Sequence, residues 1–355
     1  MRPTQGTITL SIREMQRVTV LADCTQGRLA HASRGRPSPR GLPQPVRQRI
    51  LRLARTTYAR FNDHHLTEKL REVEGLALSR ETLRRLLRAA GIGPPRKRRP
   101  PAHRQRRARR PREGEMLQVD GSPHDWLEGR GEPLTLLGFQ DDATGKVVGA
   151  EFFPTETAHG YFRVWRGVLR RYGVPLSLYG DRCGVFVRND DHWTLDEQLA
   201  GRQQPTQFGR ALEQLGVTFI PANSPQAKGR IERLWGVFQD RLRSELRLAG
   251  ANDLASANRV LRRFLPDYNR RFGRAPAHAE QAWRPAPRDL DRICCFIHER
   301  IVSNDNVVQW DGRRFQIPPQ PRRFSFAGAR VQLYQDLAGR IAVYHGETKL
   351  QIETL

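Results

Sequence analysis

The chain has 355 residues, 38% of them apolar, and its 61 Lys and Arg against 37 Asp and Glu leave a formal net charge of +24. That length predicts two or three domains with real cores, and the sign of the charge asks for a polyanionic partner, nucleic acid first. No stretch approaches the ~20 apolar residues of a membrane span, no apolar signal-peptide core opens the chain, and Cys24, Cys183, Cys294 and Cys295 form no CxxC pair; membrane proteins, disulfide scaffolds and zinc fingers are excluded, and a cytoplasmic setting is expected.

In chain order, residues 1–30 hold one weakly periodic helical stretch, with Ile12, Met15 and Val18 at helical spacing. Residues 31–45, rich in Pro, Gly and Arg, read as a basic linker. From 46 to 92 the pattern is helical: Val46, Ile50, Leu53 and Ala54 mark one helix, Leu66, Leu70 and Val73 a second, and Leu83, Leu86, Leu87 and Ala90 a third, N-capped by Ser79. The short turn before the third helix, and its outward Arg80, Arg84, Arg85 and Arg88, predict a helix-turn-helix DNA-binding unit. The competing reading is a solvated basic face. Residues 93–113 follow as a basic tether, in which Arg96, Lys97, Arg98, Arg99, Arg104, Arg106, Arg107, Arg109 and Arg110 repel one another too strongly to pack. Such a segment suits a phosphate backbone, with an affinity that drops as salt rises.

From 114 to 285 strands and helices alternate. Three strand-like runs, MLQVDG, LTLLGFQ and VVGAEFF, precede a helix around Tyr161 and Trp165. Two short buried strands then flank a helix around Phe208, and a long helix runs from about 226 to Leu248. On the long helix Ile231, Trp235, Phe238 and Leu242 face a core, while Arg230, Arg233, Arg241 and Arg243 stay out. The order βββαβαβα is that of a ribonuclease-H-like sheet. The hydrophilic stretch 188–205 reads as an inserted surface loop. Residues 300–355, with an Asp-Gly bend at Asp311 and Gly312, predict hairpins closing into a small β-barrel. The fold class expected is therefore multidomain α+β: helix-turn-helix helices, a ribonuclease-H-like core, and a C-terminal barrel.

In a sheet of that order Asp120 ends the first strand, Asp181 ends the fourth, and Glu232 lies near the start of the long helix. Three converging carboxylates suit hard divalent cations, two Mg²⁺ ions (Mn²⁺ as a substitute) roughly 3.5 to 4 Å apart. Other acids nearby have blander readings: Asp141 and Asp142 belong to the DDATGK bend, where Asp is favoured by local hydrogen bonds. His124 is read as structural. Trp126 and Trp235 offer ring faces that could stack on an unpaired base, core packing being the stronger reading for Trp235.

The blocks MLQVDGSPHDWLEGRG, LLGFQDDATGKVVGAEFFPTET and NSPQAKGRIERLWGVFQDRL resemble the ISNCY transposases within the retroviral-integrase-like DDE recombinases, over most of residues 42–350. The resemblance implies Asp120, Asp181 and Glu232 as catalytic triad and metal ligands, with Lys228 and Arg230 beside the DNA backbone. It implies strand cleavage and transfer at the inverted repeats ending an insertion sequence, on double-stranded DNA, by a dimer or larger assembly in the bacterial nucleoid. The pattern departs from the family at Cys183, where a histidine is usual, and at residues 1–30, which look like a truncated first helix-turn-helix. Those departures give the alternative: a decayed or recruited DNA-binding protein without catalysis. A general ribonuclease-H-like nuclease is a weaker third reading, since it has little need of DNA-binding regions on both sides.

Overall fold

The computed structural model describes residues 41–94, 107–188, 190–222, 229–321 and 323–355. The weak helix of 1–30, most of the 31–45 linker, and Arg96, Lys97, Arg98, Arg99, Arg104, Arg106 and Lys228 lie outside them.

Three helices come first: α1 (Gln44–Arg55), α2 (Asp63–Glu72) and α3 (Arg80–Ala89). The side chains of Asn62 and Ser79 accept from the amides of His65 and Thr82, which fixes where α2 and α3 begin. Ile50, Leu66, Leu70, Leu83 and Leu87, all at most 2% exposed, form their common core. Val73, placed on the apolar stripe by spacing, is instead exposed. The stripe stops one turn earlier.

A five-stranded sheet follows, ordered β3-β2-β1-β4-β5, from β1 (Met116–His124), β2 (Leu134–Asp141), β3 (Val147–Phe153), β4 (Ser177–Gly180) and β5 (Thr218–Pro221). β1 to β3 are antiparallel, while β4 and β5 run parallel to β1. Helix α4 (Ala158–Tyr172) covers one face; α7 (Ile231–Leu248) and α8 (Leu254–Phe272) cover the other. The period of two along β2 sorts its side chains between these layers, with Leu137 and Phe139 toward α4 and Leu134 and Leu136 toward α7 and α8. Helices on both faces explain why every residue of β2 is buried. The ribonuclease-H-like order expected from the sequence is the order found.

The inserted stretch is built as more than a loop. It contains α5 (Leu195–Ala200), held by a capping box between Thr194 and Glu197. Glu197, 1% exposed, also binds Arg188 and the amide of Gln204. A buried carboxylate needs such partners, and they order the segment before α6 (Gln207–Gln214).

After α9 (Leu290–Ile293), strands β6 (Phe296–Ile301), β9 (Arg330–Gln335), β10 (Ile341–His345) and β11 (Thr348–Leu350) form one antiparallel sheet, ordered β11-β10-β9-β6. A second sheet holds β7 (Val307–Trp310), β8 (Arg313–Gln316) and β12 (Glu353–Thr354). Asp311 and Gly312, both with positive φ, make the bend between β7 and β8. The two sheets share a core around Val308, Phe315, Val331, Leu333 and Val343, but among the described residues their ladders do not join into the closed barrel expected from the hairpin pattern. Pro318, Pro319 and Pro321 follow β8 and bring no amide hydrogen to continue its ladder toward β9.

Candidate active site

The parallel pairing of β1 with β4 stops at Gln118 opposite Tyr179, whereas β1 itself runs on to His124 against β2. Beyond Gln118 one edge of β1 is therefore unpaired. That is why Pro123 is tolerated there, and it opens a crevice at the carboxyl ends of parallel strands, where ligands of such sheets bind. Carried two residues further, the same register sets Asp120 beside Asp181 on one face, the face covered by α7. Both are half-buried. The indole Nε1 of Trp235 donates to Asp120 Oδ2 at 2.9 Å, and the Cys183 amide donates to Asp181 Oδ1 at 3.1 Å.

Glu232 is exposed on the first turn of α7, three residues before Trp235 and on the same helical face. Asp120, expected to end the first strand, lies in the middle of β1, because the pairing with β2 carries that strand on to His124; Asp181 follows the last residue of β4, and Glu232 stands on the exposed first turn of α7. Among the described residues no group of three or more His, Cys, Asp or Glu is placed to hold a metal ion. The donors present at the crevice are nonetheless carboxylate oxygens, the set that Mg²⁺ or Mn²⁺ takes.

One acid at this crevice escaped sequence reasoning. Glu156, from the turn before α4, lies over Gly121: a Cβ built there would come within 2.6 Å of Glu156 Oε2. The Tyr161 hydroxyl donates to Glu156 Oε1 at 2.7 Å, and the Cys183 thiol points to the same oxygen at 3.9 Å. Burial, then Glu156 and more weakly Asp120, push the Tyr161 phenol well above its ordinary value, keeping it a neutral donor. The signal available in the sequence is an acid just ahead of the helix that begins after Thr157, a place where helix starts favour acids on their own account. His124 stands edge-on to Trp126. Trp126 is fully buried and its Nε1 donates to the Ser122 carbonyl, so its ring has no face for a base.

The basic residues divide sharply. On α3, Arg80, Arg84 and Arg85 are exposed, the last two bound only to Glu81 of the same helix among the contacts seen. Arg88 turns inward, to Asp63 at 2.6 Å and the Ile92 carbonyl at 2.8 Å, and serves as an internal brace. The tether, expected to stay unpacked, packs at its C-terminal end because Asp142 gives it a buried anchor. Arg107 donates to Asp142 Oδ1 at 2.7 Å, Arg109 to the Asp142 carbonyl at 2.5 Å, and the Arg110 amide to Asp142 Oδ2 at 2.8 Å. Arg230, expected to face outward, bonds the same Asp142 carboxylate and the Arg107 carbonyl.

Burial would raise the Asp142 carboxyl, but the Arg110 amide and the Arg107 and Arg230 guanidiniums outweigh it and hold it below the usual range. Bend chemistry describes Asp141, which accepts from the Thr144 amide and hydroxyl; Asp142 does a different job. Arg241, also expected outside, is 8% exposed and paired with Glu68 of α2 at 2.6 Å.

No protein-family model matches the chain. It is 34% identical over 372 residues to a Sinorhizobium fredii protein named as a transposase, y4bF, covering 95% of this chain and 80% of the relative. It is 30% identical over 343 residues to the transposase for insertion sequence IS1202 of Streptococcus pneumoniae, covering 86% of this chain and 72% of the relative. Among solved structures, the catalytic core domain of BIV integrase matches at 21% identity and a TM-score of 0.31, over 46% of this chain and 90% of that one. The HTLV-2 integrase catalytic core with magnesium matches at 15% identity and a TM-score of 0.30, over 42% and 84%. Among the described residues no helix is long and apolar enough to cross a membrane.

Proposed function

This chain belongs to the transposase family of those two relatives, and from that premise we propose that it cuts and joins double-stranded DNA at the ends of an insertion sequence, by in-line phosphoryl transfer at the crevice between β1 and β4. The observation that carries the reading is that Asp120 and Asp181 each lie two residues beyond the last paired residues of the parallel strands β1 and β4, with Glu232 on the helix whose Trp235 bonds Asp120. Two half-buried acids just past the end of one ladder of the sheet have little structural purpose, because like charges side by side destabilise a sheet.

Asp120 and Asp181 would hold Mg²⁺ or Mn²⁺ through carboxylate oxygens, and Glu232 would complete the set from the helix side. The cation supplies Lewis acidity toward the phosphate and the two oxygens of the displacement. The chain's own part is to orient the diester and shape the crevice. The attacking oxygen belongs to water or to a freed 3′-hydroxyl and the leaving oxygen to the cut strand, so no covalent enzyme intermediate is needed. Arg80, Arg84 and Arg85 of α3 are exposed cations available for DNA, in the helix-turn-helix manner. The inverted-repeat pairs of such an element require two ends held together, hence at least a dimer.

The test is strand transfer by purified full-length protein with Mg²⁺ or Mn²⁺ and labelled DNA carrying the element's ends. Wild type should yield joined product, while Asp120→Asn and Glu232→Gln should lose it by at least about 10²-fold and still bind DNA. Wild type and variants equally inert, with DNA binding intact, would establish the decayed, non-catalytic binder instead.

A further inference from the structure

We infer that Trp235 is a positioning residue for Asp120: its indole N–H aims one carboxylate oxygen and ties the first acid to the helix that carries Glu232. The inference rests on the reading of Asp120 as a carboxylate of the reaction site. A buried indole N–H usually finds a partner, and the nearest acceptor is often a backbone carbonyl, as Ser122 is for Trp126. Trp235 bonds a carboxylate instead, at 2.9 Å and with the residue 5% exposed.

The sequence clears the room for this contact. Asp120 pairs across the ladder with Gly138, and a Cβ at Gly138 would come within 2.7 Å of Trp235 Cη2. The far edge of the indole thus fills the space a side chain would take. Phe238, edge-on at 5.8 Å between ring centroids, closes the ring from α7 itself. With its ring wedged between a strand glycine and a neighbouring aromatic, the direction of the N–H is set by packing.

An ionised carboxylate offers two oxygens and about four lone-pair sites. The N–H on Oδ2 takes one of these sites and limits rotation of the group. Partners of this kind, behind the atoms that hold a cation, typically change affinity or activity by about 10- to 100-fold. Because Glu232 lies one turn before Trp235, the same hydrogen bond also fixes how far the rim acid stands from the strand acids.

Trp235→Phe removes the donor and keeps most of the ring. Mn²⁺ binding to the full-length protein, measured by calorimetry, should weaken by about 10- to 100-fold. The metal concentration giving half-maximal strand transfer should rise in step. DNA affinity and the unfolding midpoint should stay near wild type, which a merely structural role would not predict. Gly138→Ala, which keeps the donor but displaces the ring, should reproduce the metal defect. Should Trp235→Phe bind Mn²⁺ and transfer strands like wild type, the positioning role is overturned while the reading of Asp120 stands. Should wild type and Asp120→Asn show the same Mn²⁺ binding and the same lack of transfer, the reading of the site fails and this inference with it.

Discussion

Two basic regions of this molecule look alike in composition and behave in opposite ways. Arg80, Arg84 and Arg85 of α3 stay in solvent, and Arg84 and Arg85 meet only Glu81 of their own turn among the contacts seen. The Arg107 guanidinium, the Arg110 amide and Arg230, from a segment more than a hundred residues away, converge on one fully buried carboxylate, Asp142, whose carbonyl takes Arg109. The lesson is that positive charge acquires a role from where the counter-charge sits. A carboxylate exposed beside arginines leaves them available to phosphate, whereas a buried one recruits them into the fold, because an unpaired buried charge costs far more than an exposed one.

The largest expected effect breaks the inward-facing region. Asp142→Ala removes the shared partner of Arg107, the Arg110 amide, Gln118 and Arg230, and should cost about 3–5 kcal/mol in denaturant unfolding. An unfolding midpoint that did not move would mean the arginine convergence contributes nothing to stability. Next in size is the outward-facing region. Replacing Arg80, Arg84 and Arg85 together by Ala should lower the slope of log affinity for DNA against log salt by about 0.9 for each DNA phosphate that these arginines neutralise, with no change in unfolding. Arg88→Ala should do the reverse, lowering stability by removing the ion pair with Asp63 and leaving the salt slope alone. If both variants shifted the slope equally, the inward and outward classes would not differ.

The smallest effect concerns the seam between the three-helix unit and the helices beside it. Glu245 of α7 binds His65 and Lys69 of α2, and Glu68 of α2 binds Arg241 and Arg271. Burial would raise both carboxyls, but the hydrogen bonds and ion pairs these partners make prevail and hold both below their usual range. A depressed folded value means the stabilisation is complete above the ordinary glutamate value of about 4.3 and disappears as pH falls through the lower, folded one. The three-helix unit should therefore loosen from α7 only on acidification below about pH 4.3, seen as proteolysis between α3 and β1, and Glu245→Gln should flatten that dependence. Loosening that instead set in near neutral pH would put the control elsewhere.

The fold was largely legible because its signals are local. Alternation along β1 to β3, the Asp311-Gly312 bend and the Ser79 cap each depend on a few adjacent residues. The candidate acids Asp120 and Asp181 were picked from the strand pattern, but the pattern ended the first strand at Asp120, whereas pairing with β2 extends it to His124. What the pattern missed depends on long-range pairs: Trp235 with Asp120, Arg230 with Asp142 and Arg241 with Glu68 lie 115, 88 and 173 residues apart. On helical spacing Arg241 belongs to the polar face of α7. That face is wet only until α2 lies against it.

By itself the sequence determined the element types, their order along the chain through the central sheet and the excess of positive charge, all properties of short windows and of composition. Tertiary structure decided which arginines meet solvent, which tryptophan holds an acid, that Glu232 stands at the rim, and that the C-terminal sheets remain two. Those outcomes turn on desolvation and close contact, which arise only once distant segments exclude water from one another.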